Sequence, residues 1–366
     1  AAARDLAERM AGLMALWLAM LTGLGVLFMP GVLTVLVPGF LERPDKFALT
    51  VELCRITLPY LWFICLTALV AGALNGLDRF AAAAATPVLF NVFGIAALLG
   101  LTPFVATPAH ALAWGVLASG AAQLVLVLVA VRAAGMPLNP LRRPRLTPGV
   151  RIILLKMGPG LVGAGAFYIN QFVSMVIASL LPSGAVSYLY YADRVGQLPL
   201  GVIGAAVGTA LLPLLSRQLS MNRAIEVALA LSLPAAVGLA LAAPPIVAAL
   251  FERGAFDAVA TGRTAAALAA YALGIPAFVL VKALAPGFFA RGDTATPVVV
   301  ALFTVAANIA LNLVLMGPLA HVGIALGTAL AAWVNVLALA WLLARRGQLV
   351  LDRQCRRRAP RLLLAS

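Results

Sequence analysis

Residues 297–344 read PVVVALFTVAANIALNLVLMGPLAHVGIALGTALAAWVNVLALAWLLA, and Arg345 and Arg346 follow at once. The stretch holds two apolar runs, 297–316 and 321–344, separated by Gly-Pro-Leu-Ala. A hydrocarbon core about 30 Å thick needs about 20 helical residues to cross it, and each run has that length. The runs are continuously apolar rather than alternating, which favours helices over barrel strands. The sequence therefore predicts two neighbouring helices that cross a membrane.

Similar runs recur along the whole chain, which has 366 residues, of which 63% are apolar and 10% charged. An ordinary soluble domain carries about 25% charged residues. This composition predicts an all-α polytopic membrane protein with about ten transmembrane helices. The predicted segments are 11–36, 52–75, 83–103, 110–131, 155–181, 185–212, 225–250, 264–289, 297–316 and 321–344.

Lys and Arg are distributed unequally between alternate sides of these segments. Loops on one side hold 19 of the 26 basic residues, and loops on the other side hold 5. The positive-inside rule therefore predicts that the richer side, with both ends of the chain, is cytoplasmic. The same distribution accounts for the net charge of +14. Nucleic acid is disfavoured as a partner, because its binders carry basic residues on a soluble face.

Short motifs recur in the two halves of the chain at separations of 210–214 residues. They are Thr-Pro-Val at 86 and 296, His at 110 and 321, Ala-x-Gly at 113 and 325, and Pro-led triplets at 30 and 244. The last four helices therefore repeat the first four in the same orientation, which is a transporter architecture. Two helices at the start of the second half lack counterparts, so we expect an N-terminally truncated chain.

The predicted organisation has four parts. Residues 1–135 form an incomplete N-terminal lobe of four helices, and residues 136–154 form a basic cytoplasmic linker. Residues 155–346 form a C-terminal lobe of six helices, and residues 347–366 form a basic cytoplasmic tail.

Asp193 and Arg194, with Gln197 one turn later, are the strongest candidates for a site inside the membrane. Ionisable residues at membrane depth are costly and mark function by default. Arg194 would lie about 15 Å deep, measured at 1.5 Å per residue from the predicted turn at 182–184. Adjacent helical residues point about 100° apart, so Arg194 would be free to grip a phosphate with its planar fork. The alternative is a neutral Asp–Arg pair that fixes helix packing.

Three further candidates for this site are polar residues inside predicted segments: Lys282, Asn170 and Gln171. Lys282 would either contribute to a cationic cavity or extend its amine toward the cytoplasmic face near Arg291. Asn170 and Gln171 would either line the same cavity or form interhelical hydrogen bonds.

Catalytic motifs are not found in the sequence. There is no P-loop, no His-Glu-x-x-His and no Cys pair with metal-ligand spacing. We therefore expect a transporter rather than an enzyme, with no cofactor and no bound metal.

Several stretches resemble the MurJ/MviN family of lipid II flippases, which belongs to the multidrug/oligosaccharidyl-lipid/polysaccharide exporter superfamily. The most specific is YYADRVGQLPLGV at 190–202, followed by GTALLP at 208–213. LFERGAF at 250–256, KALAPGFFARGDTATP at 282–297 and KFALT at 46–50 also match. The resemblance covers nearly the whole chain.

The resemblance implies a fold of fourteen helices, of which the ten predicted here would be family helices three to twelve. It implies alternating-access export of lipid II, the undecaprenyl-pyrophosphate-linked peptidoglycan precursor, across the bacterial inner membrane. The lipid bilayer would be a partner, and a coupling ion gradient or the membrane potential would drive transport. The alternatives are another exporter of the superfamily, for a drug or another lipid-linked glycan, or an inactive truncated remnant.

The resemblance also implies residue roles. Arg194 would meet the pyrophosphate, with Asp193 and Ser187 at neighbouring functional positions. Gln197 stands where many members of the family carry an acid. The predicted substrate-binding set is Arg194, Asp193, Ser187, Gln197, Lys282 and Asn170.

Overall fold

The computed structural model describes residues 2–140, 147–211, 219–289, 291–293, 295–347 and 349, with the backbone alone given for 2–3, 152–167, 204–211 and 219–220. All regular structure in these residues is helical. The α-helices are α1 Ala2–Leu27, α2 Met29–Leu36, α3 Pro44–Thr57, α4 Tyr60–Asn75, α5 Ala81–Leu101, α6 Pro108–Ala133, α7 Pro148–Ser179, α8 Ala185–Leu211, α9 Leu219–Leu241, α10 Ala243–Phe251, α11 Ala258–Ala272, α12 Ile275–Phe289 and α13 Ala295–Arg345. Short 3-10 turns occupy Pro38–Phe40 and Thr102–Phe104.

The chain divides into two compact units, Ala1–Gly160 and Leu161–Ser366. Within the described residues, seven helical stretches are long and apolar enough to cross a bilayer. They are Arg4–Leu27, Pro44–Asn75, Ala81–Phe104, Pro108–Ala133, Met221–Leu241, Ala258–Phe289 and Ala295–Arg345. The predicted class, an all-α polytopic membrane protein, is confirmed.

Helix α13 contains the two apolar runs at 297–316 and 321–344. Its 51 residues would be about 77 Å long as one straight helix, more than twice the thickness of a hydrocarbon core. The helical path breaks at Ala320, whose φ of 49° and ψ of −129° lie outside the helical region. The break separates a first arm, residues 295–319, from a second arm, residues 321–345.

The two arms of α13 fold back on each other. Gly323 of the second arm sits so close to the first arm that a methyl group there would overlap the backbone carbonyl of Leu315. One turn further from the break, a methyl group on Gly327 would overlap the side-chain Oδ1 of Asn312 and lie 3.2 Å from its backbone nitrogen. The residue number increases along the second arm while that of its contact decreases along the first arm, so the two arms form an antiparallel hairpin. The prediction of two separate segments here is confirmed.

Two helix breaks recur at the same place in the two units. Phe28 separates α1 from α2 with φ −94° and ψ 18°, and Pro30 follows it. Ala242 separates α9 from α10 with φ −93° and ψ 12°, and Pro244 follows it. The breaks lie 214 residues apart, within the range of the sequence repeat. The first and seventh predicted segments are therefore each two helices joined at a break.

The break before α2 has a specific cap. Pro30 has no N–H, so the carbonyl of Val26 loses the donor that an uninterrupted helix would supply. The Nε of Arg55, on α3, donates to that carbonyl oxygen at 3.1 Å. A polar group freed inside a membrane helix must find such a substitute partner.

The next helical pair also repeats. Residues 44–75 and 258–289 each span 32 residues, and each is divided into two helices by a short break. Both begin earlier than the predicted segments, at Pro44 instead of 52 and at Ala258 instead of 264. Helix α7 likewise begins at Pro148, inside the predicted linker. Charged residues near these helix starts lower the local apolarity, which is why the apolar runs begin later than the helices.

The core of the second unit fixes the position of α8. Buried Leu189, Ala192 and Val195 of α8 belong to a core cluster that includes Leu268 and Val247. Ala192 is fully buried, and many members of this cluster are alanines. Lipid is as apolar as these side chains, so close packing of small residues, rather than the hydrophobic effect, stabilises such contacts. This packing leaves the opposite face of α8 uncovered within the unit.

Candidate functional site

The uncovered face of α8 carries half of the predicted site residues. Ser187, Tyr190, Arg194, Gln197 and Gly201 are exposed and follow each other at spacings of three or four residues. With 3.6 residues per turn, these positions form one line along the helix. We call the first four residues the polar stripe. Three of the six predicted site residues lie on it.

Asp193 lies beside the polar stripe, half-buried. Its Oδ2 accepts a hydrogen bond of 2.5 Å from Nε2 of Gln197, one turn later on the same helix. The carboxylate is therefore directed along α8 to an amide and not to the neighbouring guanidinium. This agrees with the angular separation of adjacent helical residues.

Arg194 stacks on an aromatic ring. Its Cζ lies 5.0 Å from the centroid of the Tyr190 ring, which precedes it by one turn. Within the part of the chain that the structure describes, Arg194 forms no ion pair, and its N–H groups meet no acceptor. A guanidinium has five N–H donors in its plane, in a fork that matches phosphate oxygens. The stripe thus presents a cation whose donors remain available.

Ser187 and Gln197 flank this cation on the stripe. At 1.5 Å per residue, Ser187 lies about 10 Å before Arg194 along the helix axis and Gln197 about 5 Å after it. A hydroxyl group on one side and an amide on the other can hydrogen-bond a polar head group that the guanidinium holds. The spacing suits a ligand of several polar groups rather than a single small ion.

Lys282 lies on α12, whose other sides are largely packed against neighbouring helices. Ala283 and Leu284 beside it are buried, whereas Lys282 is exposed. Among the described residues, no carboxylate forms an ion pair with its amine. The structure therefore leaves Lys282 as a further cation without an ion pair, and no hydrogen bond joins it to the polar stripe among the described residues.

Asn170 is half-buried on α7, and its Oδ1 has no hydrogen-bond partner among the described residues although the atom itself is buried. The neighbouring candidate Gln171 is exposed. An unpartnered amide oxygen inside a helical bundle retains its capacity to accept a hydrogen bond. The alternative role for Asn170, an interhelical hydrogen bond, is therefore not formed through this oxygen among the described residues.

A buried polar network that the sequence analysis missed lies close by. Nδ2 of Asn312 donates to Oδ1 of Asn308 at 3.0 Å and to Oγ of Ser174 at 3.3 Å, and Nδ2 of Asn308 donates to Oγ1 of Thr328 at 3.3 Å. Asn308 and Asn312 are almost completely buried. The network ties α7 to both arms of α13. Two asparagines four residues apart in an apolar run were the sequence signal, since both must lie on one helix face.

The ends of the α13 hairpin are joined outside the membrane-spanning stretches. Oδ2 of Asp293 accepts a hydrogen bond of 2.6 Å from Nη1 of Arg346, while Oδ1 accepts one of 2.9 Å from the N–H of Thr296. The Arg346 guanidinium, with the Thr296 donors, holds the pKa of Asp293 well below its usual range. The carboxylate therefore caps the first turn of α13 and binds the last turn at the same time.

Comparison with known proteins identifies relatives along the whole chain. A family model described as lipid II flippase MurJ matches residues 1–365. The chain is 45% identical over 345 residues to a protein of Rhizobium tropici, covering 91% of this chain and 64% of that protein. It is 44% identical over 379 residues to one of Rhizobium meliloti (strain 1021), covering 100% of this chain and 70% of that protein. Both carry the name "Probable lipid II flippase MurJ".

Solved structures show the same fold. A lipid II flippase MurJ in an inward closed conformation has a TM-score of 0.77 at 23% identity, covering 92% of this chain and 72% of that chain. An inward-facing multidrug resistance MATE family transporter of the MOP superfamily has a TM-score of 0.77 at 16% identity, covering 94% of this chain and 83% of that chain. The chain spans 64% and 70% of the length of the two Rhizobium relatives.

Proposed function

Because the chain belongs to the MurJ family of lipid II flippases, we propose that it moves lipid II from the cytoplasmic to the outer leaflet by alternating access. Membership of this family and the seven spanning stretches make it a multi-pass protein of the bacterial inner membrane. The observation that supports the proposal most directly is the exposed guanidinium of Arg194, which stacks on Tyr190 and forms no ion pair with a carboxylate among the described residues.

The substrate proposed here carries an anionic pyrophosphate between a lipid tail and a sugar head. Arg194 would bind the pyrophosphate through paired N–H donors, which lowers the cost of taking the anion through a medium of low dielectric constant. Ser187 and Gln197 would hydrogen-bond the head group, and Asp193 would hold the Gln197 amide in place. Lys282 and Asn170 would contribute a second cation and an acceptor from α12 and α7.

A drug exporter of the same superfamily is the other candidate. An exporter of cationic drugs needs an accessible acid, because the cation must be balanced inside the membrane. The acid beside the stripe, Asp193, is half-buried and bound to Gln197. The charged group that faces outward on α8 is Arg194, which favours an anionic substrate.

The membrane potential is the proposed driving force. A potential that is negative on the inside pushes an anionic head group outward, by about 2.3 kcal/mol for each charge and each 100 mV. A coupling ion gradient is the alternative. Collapsing the potential with valinomycin at matched potassium should stop export while sodium and proton gradients persist; export that continues would identify an ion gradient instead.

The orientation and lobe organisation predicted from the sequence are part of the proposal. Both ends of the chain would be cytoplasmic, with lobes at 1–135 and 155–346, a linker at 136–154 and a tail at 347–366. With the native cysteines replaced by serine, Ala2→Cys and Ser366→Cys should resist a membrane-impermeant maleimide applied to intact spheroplasts. Glu252→Cys, between α10 and α11, should react. Labelling at the two ends would show that both ends face outward, which is the opposite of the predicted orientation.

The role of Arg194 is tested by outward display of lipid II in cells depleted of their own flippase. Arg194→Ala should abolish display, measured as access of a membrane-impermeant probe to the lipid II head group. Arg194→Lys should restore it only in part, because an ammonium lacks the planar fork. Arg223→Ala, which removes an exposed arginine paired with Glu226, is the control and should display normally. Normal display by Arg194→Ala would overturn the assignment.

A further inference from the structure

Tyr190 stands out on the polar stripe because it is aromatic, exposed and in contact with the essential cation of the proposal. It precedes Arg194 by four residues, so the two side chains lie on the same helix face. The ring centroid is 5.0 Å from the Arg194 Cζ, and Tyr190 is 54% exposed. Its hydroxyl group has no described hydrogen-bond partner, so the contact with Arg194 belongs to the ring.

The way in which Arg194 is held decides what it can still bind. A carboxylate partner would neutralise the guanidinium and use its N–H donors. An aromatic face attracts the cation through the ring quadrupole and leaves the in-plane donors free. The structure shows the second arrangement, since Asp193 accepts its hydrogen bond from Gln197 and forms no ion pair with Arg194 among the described residues. Tyr190 thus orients the guanidinium at no cost in hydrogen-bonding capacity.

The Tyr190 ring is itself anchored. Its centroid lies 5.8 Å from that of Tyr191, at 76° between the planes. Tyr191 in turn packs against Phe251 at 4.9 Å and against Phe256 at 5.4 Å. The Tyr190–Tyr191 and Tyr191–Phe256 pairs are edge-to-face and the Tyr191–Phe251 pair is tilted, all at separations favourable for aromatic pairs. A row of rings therefore connects the segment between α10 and α11 with the side chain that holds Arg194.

We propose that Tyr190 is a positioning residue that holds the Arg194 guanidinium, by stacking, in the orientation that receives a pyrophosphate. The inference rests on the proposed function and adds to it a residue that acts through Arg194. The aromatic ring carries the role, and the phenol hydroxyl does not.

The experiment measures the affinity of the purified chain in nanodiscs for undecaprenyl pyrophosphate. Tyr190→Leu should weaken binding two- to fivefold, the range expected for one cation–π contact at an exposed site. Tyr190→Phe keeps the ring and should bind like the unmodified chain. Phe303→Leu is the control, because it removes another exposed ring of the same unit, 61% exposed, on α13. It should leave affinity unchanged.

A double-mutant cycle distinguishes positioning from a separate contact. In an Arg194→Ala background, Tyr190→Leu should cause no further loss of affinity. An equal loss in both backgrounds would overturn the proposal, as would a Tyr190→Leu affinity equal to that of Phe303→Leu. If Tyr190→Leu does not accumulate in the membrane, Tyr190→Met replaces it with the same expected loss. Failure of the unmodified chain to display lipid II in cells depleted of their own flippase would instead overturn the proposed function while the affinities remain measurable, so the two failures are separable.

Discussion

Replacing Gly323 by alanine should open the α13 hairpin, because the added methyl group has no free space. At this position the methyl group would overlap the carbonyl oxygen and carbon of Leu315 and lie 3.0 Å from the backbone nitrogen of Met316. All three are backbone atoms of the first arm, so no side-chain rotation can relieve the overlap. The two arms would have to separate by about 1 Å to restore ordinary van der Waals contact.

The cost follows from what this separation disrupts. Overpacking of a tight contact costs about 1–3 kcal/mol, and immovable backbone places Gly323 at the upper end. The same movement strains the hydrogen bond between Asn308 and Thr328, worth about 1 kcal/mol. We therefore expect Gly323→Ala to lower the free energy of unfolding by about 3 kcal/mol or more.

The assay is reversible unfolding by SDS in mixed micelles, followed by circular dichroism. The control is Gly317→Ala on the same helix, where an added methyl group meets no atom within 4 Å. Alanine favours the helix by up to about 1 kcal/mol over glycine, so this variant should be unchanged or slightly more stable. If the two variants have equal stability, the hairpin packing described here is wrong.

Two further predictions concern polar contacts. Because Arg346 holds the pKa of Asp293 below its usual value, which is about 3.9, their contact should stabilise the protein above about pH 4 and be lost only as pH falls through the lowered pKa. Asp293→Asn should therefore lower the thermal stability of the chain by the same amount at pH 7 and at pH 5. A stability difference between variant and unmodified chain that disappears at pH 5 would contradict the contact. Arg55→Leu should cost about 1 kcal/mol by leaving the Val26 carbonyl without its donor, whereas Arg55→Leu combined with Pro30→Ala should recover that loss in the same SDS titration.

The apolar runs predicted the spanning segments because lipid imposes one length on every crossing element. They did not predict where a crossing helix breaks. Phe28 and Ala242 lie inside uniformly apolar runs, and the break depends on a proline two residues later together with packing from other helices. The starts of α3 and α11 were predicted too late, because the first turns of these helices contain polar residues and lie outside the apolar run.

The site was predictable in its chemistry and less so in its contacts. Adjacent positions on a helix indicated that Asp193 and Arg194 would diverge, and they do. Their actual partners are Gln197 for Asp193 and Tyr190 for Arg194. These contacts depend on side-chain rotamers, which the spacing of residues in the sequence does not determine. The network around Asn308 and Asn312 was not predicted because an uncharged amide is a weaker sequence marker of a buried site than an ionisable group, although an amide in an apolar run also needs partners.

The matching breaks at Phe28 and Ala242 bear on the history of the chain. Two bends with nearly the same backbone angles, 214 residues apart, are most simply inherited from one ancestral half whose gene was duplicated. The cap did not follow the bend: Arg55 serves the first copy, while the position 214 residues later is Ala269. Among the described residues, no side-chain hydrogen bond of this kind caps the second bend, so the two copies of one ancestral part are now held by different contacts.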